Sequence, residues 1–168
     1  MEKIKIGNTY GYSNFITENE QNILLEWVYK NHEKFKSNGF GRKFGIIYDF
    51  EDYPNLIVKL RNKIIELENI KKYLEEPYFK DYVGINTEGG AIHYHRDPNQ
   101  NEYVHTRYNV VLSYPEKGGE SIYGDSVNTL FEKLVWRCVA GKVYHGSNPV
   151  VGKKPRITLS LGFLICEN

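Results

Sequence analysis

A chain of 168 residues is long enough to bury one core without disulfide or metal staples, so a single domain over 1–168 is expected. Its 22 Lys and Arg against 21 Asp and Glu leave a formal net charge of +1, which excludes a global field able to hold nucleic acid by phosphate contacts alone. No stretch reaches the roughly 18 apolar residues that span a bilayer, and "MEKIKIGNTYGY" has no apolar run suited to a signal peptide; a cytoplasmic protein with no membrane partner is expected.

The first half carries the helical signals. In "TENEQNILLEWVYKNHEKF", Thr17 and Glu20 have the capping-box spacing, and Ile23, Leu24, Trp27, Val28 and Phe35 form an apolar stripe, with His32 on or beside that helix. "FGIIYDF" reads as a strand. A second helix starts at "YPNL", with Pro54 in its first turn, and runs through Leu56, Leu60, Ile64 and Leu67 to about Leu74.

From Tyr82 onward the period changes from 3.6 to 2. Short strand-like runs follow one another: "DYVGIN", "AIHYHR", "RYNVVLSY", "ESIYG", "KLVWRCVA", "KVYHG" and "RITLSLGFLI". Turn residues separate them, and Gly118-Gly119 reads as a hairpin turn. Helices first and closely spaced strands afterwards predict a mainly β protein with flanking helices (α+β), a sandwich or jelly roll in which 1–80 supports a β core over 81–168. Cys138 and Cys166 lack CxxC spacing and are expected as reduced core residues.

The chemistry concentrates in "IHYHRD", residues Ile92 to Asp97. On a strand His93, His95 and Asp97 face one way. His95-x-Asp97 is followed 48 residues later by His145, a two-histidine, one-carboxylate set of the kind that holds iron and leaves open positions for catalysis. Eleven residues beyond His145 comes Arg156, then Thr158 and Ser160 on the same strand face. A buried guanidinium needs an anionic partner, and a dicarboxylate bound by its planar fork would supply one.

Through these residues the chain resembles the 2-oxoglutarate- and Fe(II)-dependent dioxygenases over roughly Tyr82 to Phe163. "GINTEGGAIHYHRD" is similar to the family's strand-turn-strand approach to H-x-D, and "HGSNPVVGKKPRITLS" to its distal His and Arg-x-Ser/Thr ending. The resemblance implies a double-stranded β-helix, with His95, Asp97 and His145 as iron ligands. It implies Arg156 as partner of the distal carboxylate of 2-oxoglutarate, Thr158 as its helper, and Asn86 as a further contact. Dioxygen would be consumed, 2-oxoglutarate decarboxylated to succinate, and an amino acid or a protein or peptide side chain hydroxylated, as in prolyl and aspartyl/asparaginyl hydroxylases.

Four further residues are candidate substrate contacts. Arg107 and Asn109 alternate with apolar neighbours, so Arg107 either grips a substrate carboxylate or is a solvated strand arginine. His105 is expected in a loop at the pocket rim, and His93 lies one step from His95 on the same face. Two rival readings stay open: a cupin-type metalloenzyme using His93, His95 and His145, and a non-catalytic β-sandwich binding module. A nucleic-acid substrate is not expected, since the chain has no basic or aromatic-rich insert.

Overall fold

The N-terminal segment, which has no helical period, forms a hairpin. In the computed structural model, which describes residues 1–166, β1 (Glu2–Ile6) and β2 (Thr9–Ser13) pair antiparallel around Gly7 and Asn8, with Gly7 at φ 53°. Helix α1 (Glu18–Asn31) follows, and its capping box is formed as the spacing predicts: the Glu20 N–H donates to Thr17 Oγ1 and the Thr17 N–H to Glu20 Oε2. The helix buries Leu24, Trp27 and Val28, whereas Ile23, expected in the same stripe, is 40% exposed. A 3-10 turn at His32–Lys34 carries the chain to β3 (Lys36–Ser37) and β4 (Arg42–Ile46).

The expected strand at "FGIIYDF" therefore stops halfway, because Ile47–Asp49 is a 3-10 turn. Helix α2 (Leu56–Leu67) ends seven residues short of Leu74, where Asn69 takes the left-handed conformation at φ 50° that often closes helices. The residues assigned to its last turns instead form β5 (Tyr73–Glu75).

The second half is strand-rich, as the change of period predicts. It comprises β6 (Asp81–Asn86), β7 (Tyr103–Ser113), β8 (Lys117–Gly118), β9 (Ser121–Tyr123), β10 (Ser126–Asn128), β11 (Val135–Cys138), β12 (His145–Ser147), β13 (Val150–Val151) and β14 (Arg156–Cys166). The major sheet has the order β1-β2-β11-β7-β14-β6-β4-β3, with β5 also paired to β14; β10-β9-β12 form a minor sheet and β8 pairs with β13. Gly118 and Gly119 do not join neighbouring strands. Both sit at positive φ, and a Cβ on Gly118 would lie 2.1 Å from the Pro149 carbonyl, so glycine lets β8 cross closely over the chain before β13.

The core lies between the helices and one face of the major sheet. Ile57, Leu60 and Ile64 of α2 and Leu24 and Val28 of α1 cluster with Val83, Val110, Ile157, Leu159, Leu161 and Phe163. Alternation along each strand then sends the intervening side chains to the opposite face. That face holds the site.

Candidate functional site

Strand β14 divides core from cavity residue by residue. Ile157, Leu159, Leu161 and Phe163 are fully buried under the helices, while Arg156, Thr158 and Ser160 line a cavity of about 310 Å³. Register extends this wall across the sheet. Arg156 stands opposite Asn86 and Asn86 opposite Arg42; Thr158 is opposite Gly84 and Gly84 opposite Phe44; Ser160 lies between Tyr82 and Asn109.

The metal-ligand candidates come from two extended segments. "IHYHRD" is not a full strand as expected: its one ladder partner is His145, and the His95 and His145 backbones exchange hydrogen bonds of 3.0 and 2.8 Å. The Asp97 N–H bonds the Ala140 carbonyl at 2.9 Å. The stretch is nevertheless extended, and His93, His95 and Asp97 all line the cavity.

One ligand atom each from His95, Asp97 and His145 lies within 4.8 Å of the others. Metal bonds of about 2.0–2.2 Å allow donors up to roughly 4.4 Å apart, so a few tenths of an ångström of side-chain movement closes the set. Ring tautomers are also set. His95 Nδ1 is 2.8 Å from the His93 carbonyl and His145 Nδ1 is 3.0 Å from the Val143 carbonyl. A ring nitrogen bonds a carbonyl only as donor, so in the neutral form of each ring Nε2 keeps the lone pair for a metal. The Asp97 carboxylate beside His95 raises the His95 pKa, and the Nε2 proton of the charged ring is the one given up on metal binding. Burial holds the His145 pKa below its ordinary value, which favours the neutral ligating form.

Asp97 is fixed from behind. Its Oδ1 faces His95 Nε2 at 3.3 Å, while Oδ2 lies 3.5 Å from His105 Nδ1 and 3.9 Å from Arg107 Nε. Burial works to raise its pKa, but the hydrogen bond from His95 and the charges of His105, His145 and Arg107 hold it below the usual range. His105 is therefore no loop residue: it sits in β7, 4% exposed. Burial, with Arg107 beside it, pushes its pKa down to about 4.

Arg107 is 5% exposed, which removes the solvated-strand reading. Its Nη2 donates to Glu76 Oε2 at 2.9 Å, and the same carboxylate accepts the backbone N–H groups of Tyr78, Phe79 and Lys80. Burial opposes ionisation of Glu76, but Arg107 and these N–H donors hold its pKa below the ordinary value. Asn109 lines the cavity one register step away.

Arg156 is 4% exposed and has one protein partner, donating from Nη2 to Ser121 Oγ at 2.8 Å. Its Nε and Nη1, and Thr158 Oγ1, have no partner among the described residues. A guanidinium buried in this state calls for an external anion, and a dicarboxylate fits the donors present. Sequence reasoning located this pair but missed Arg42, Glu76, Tyr82 and Trp136, which share the cavity. Pro77 marks a turn after Glu76; no signal in the sequence says that its carboxylate turns inward.

No protein-family model and no curated protein matches the chain. Solved structures do, over most of its length. The viral collagen prolyl hydroxylase of Paramecium Bursaria Chlorella virus-1, in a 2-oxoglutarate complex, superposes with a TM-score of 0.70 at 18% identity, covering 92% of this chain and 95% of its own. A prolyl hydroxylase from Trichoplax adhaerens, in complex with a hypoxia-inducible-factor peptide, gives 0.70 at 16% identity with coverages of 94% and 83%. HygX from Streptomyces hygroscopicus, with nickel and 2-oxoglutarate bound, gives 0.65 at 10% with 94% and 82%. At these identities the likeness establishes the fold: the chain is built as a double-stranded β-helix, the architecture of prolyl hydroxylases and other 2-oxoglutarate- and Fe(II)-dependent oxygenases.

Proposed function

We propose that the chain is an Fe(II)- and 2-oxoglutarate-dependent oxygenase that hydroxylates an amino acid or a side chain of a protein or peptide. One observation carries this reading: a buried arginine with two donor atoms unpaired shares a cavity with two neutral-capable histidines and a carboxylate drawn together. The likeness to oxygenases whose structures hold 2-oxoglutarate supports it.

His95, Asp97 and His145 would hold the metal, and Arg156 with Thr158 would take the distal carboxylate of 2-oxoglutarate. When bound, iron and 2-oxoglutarate supply the oxidation, in which dioxygen gives one atom to succinate and one to a substrate hydroxyl as carbon dioxide leaves. The protein's own part is placement. The His93 and Val143 carbonyls aim the two ligand rings, and His105 and Arg107 hold the second oxygen of Asp97 away from the metal side. The Arg156 guanidinium neutralises the cosubstrate in a site shielded from water, where a bidentate pair is strongest.

The three-histidine alternative loses ground because the converging donor set includes Asp97 and leaves out His93. A purely structural β-sandwich would leave the unpaired Arg156 donors and Thr158 hydroxyl as an uncompensated cost. The test is anaerobic titration with Fe(II), followed by 2-oxoglutarate-dependent succinate formation with amino acids and proline- or asparagine-bearing peptides. One metal per chain and substrate-stimulated succinate are expected. No stoichiometric site near neutral pH, or no succinate with any of these substrates, would defeat the reading.

A further inference from the structure

Charge in the cavity does not balance. Three arginines line it, Arg42, Arg107 and Arg156, against two carboxylates, Glu76 and Asp97. Glu76 neutralises Arg107 and Asp97 faces the histidines. On the oxygenase reading, the three positive charges of a divalent metal and Arg156 are balanced by Asp97 and a dianionic cosubstrate. One positive charge is left over, and it resides on Arg42.

Arg42 is placed to meet a second guest. It stands in the same cross-strand row as Asn86 and Arg156, and its charge acts on both His95 and Arg156, so it lies within Coulombic reach of the metal donors and of the cosubstrate pair. Burial lowers its pKa, yet its side chain has no hydrogen bond or ion pair among the described residues. Beside it is an aromatic wall: Phe44 and Phe79 meet edge to face at 5.5 Å, and Phe79 meets Tyr82 at 5.8 Å. The cavity, about 310 Å³, is at the low end for ligand pockets, which run from about 300 to 1,000 Å³, and must serve two molecules.

We infer that Arg42 binds a carboxylate of the primary substrate while the substrate's apolar part lies against Phe44, Phe79 and Tyr82. This rests on the oxygenase reading and narrows it to carboxylate-bearing substrates. The small cavity favours a free amino acid over a peptide C-terminus as the source. A planar guanidinium in a partly dry site recognises such a group bidentately, and an amide in its place loses both the charge and one acceptor oxygen.

The test uses the full chain loaded with Zn(II) and 2-oxoglutarate, which binds guests without turning them over. Calorimetry with the free L-amino acids, their C-terminal amides and dipeptides with a free C-terminus reads the carboxylate directly. At least one acid should bind about tenfold or more tightly than its amide. Arg42→Gln should erase that preference while changing the affinity for 2-oxoglutarate far less, and Arg42→Lys should keep part of it. Binding by dipeptides alone would uphold the carboxylate and move its source to a peptide C-terminus. Acid and amide binding alike, or no carboxylate ligand binding to a protein that does take up 2-oxoglutarate, overturns the inference. The same holds if Arg42→Gln weakens 2-oxoglutarate instead. If the metal-loaded protein takes up no 2-oxoglutarate, the oxygenase reading falls and takes this inference with it. The comparison of acid with amide on the unmodified protein stands even if the Arg42→Gln variant does not fold.

Discussion

His93 and His95 are two residues apart on one extended segment, with ring centroids 4.8 Å apart, yet they have different duties. His95 bridges to His145, whose ring is 4.4 Å away, and its Nε2 faces Asp97. His93 contributes its backbone carbonyl, which fixes the His95 tautomer, and its own ring is more exposed. In an extended chain, positions four apart are separated by roughly 13 Å, which sets His93 too far from Asp97 for both to reach one ion. His95→Ala is expected to abolish stoichiometric metal uptake in calorimetry, whereas His93→Ala, which keeps the carbonyl, retains it. Equal loss in both variants would return the three-histidine site to consideration. Glu76 is the second test at this scale. Removing its charge strands Arg107 in the interior, so Glu76→Gln should cost about 3–5 kcal/mol of folding stability. Because the folded protein holds the Glu76 pKa below 4.5, its contribution is complete above that pH. It is lost as pH falls through the folded value, since there the unfolded chain binds the proton first. Urea melts at pH 7 and across pH 5 to 3, with and without the substitution, measure both effects; a variant as stable as the parent at pH 7 refutes this role.

Among the elements, β14 does most to join core to site. Its apolar alternates seal against α1 and α2 while its polar alternates furnish the cavity, and it pairs with both β6 and β7 along most of its length. A single position sets how closely β14 meets the Glu76 turn. A Cβ at Gly162 would lie 2.5 Å from the Lys80 carbonyl and 2.9 Å from Arg107 Nη1. Gly162 is also tied there by its own N–H to Lys80 and by its carbonyl to Arg61. Overpacking of this kind costs roughly 1–3 kcal/mol. Gly162→Ala should therefore destabilise by that amount in denaturant unfolding and also weaken metal binding, since Arg107 stands behind Asp97. Loss of stability with metal affinity intact would separate Arg107 from the orientation of Asp97.

At the scale of the whole molecule, ligands that bind only the folded state raise its stability by mass action. At a hundred times its dissociation constant each adds about 2.7 kcal/mol, or roughly 5–11 °C in melting temperature for a domain of this size. Mn(II) and then 2-oxoglutarate should each raise the melting temperature in scanning calorimetry. Losing a charge-assisted hydrogen bond costs about 1.5–3 kcal/mol, so Arg156→Ala should raise the apparent KM for 2-oxoglutarate on the order of ten- to a hundredfold and remove the second increment while keeping the first. An increment from 2-oxoglutarate that survives in Arg156→Ala would take Arg156 out of the site.

The features legible in the sequence were those written in local period and spacing. A switch from 3.6 to 2 announced helices on a β core, the Thr17–Glu20 box marked the start of α1, and alternation placed Arg156 and Thr158 on the face away from Ile157 and Leu159. The hairpin turn at Gly7–Asn8 is also written there, in two turn residues between short alternating runs. Tertiary structure alone decided which distant residues meet. Period 2 tells which face a side chain takes but not which strand lies beside it, because register is settled by pairing among segments far apart in the chain. So the sequence could place Arg107 on a face, but only the fold brought Glu76 to it. Likewise His105 went under Asp97 and not to a rim, and Arg42, one basic residue among many in the sequence, became a half-buried cation in the row of Asn86 and Arg156.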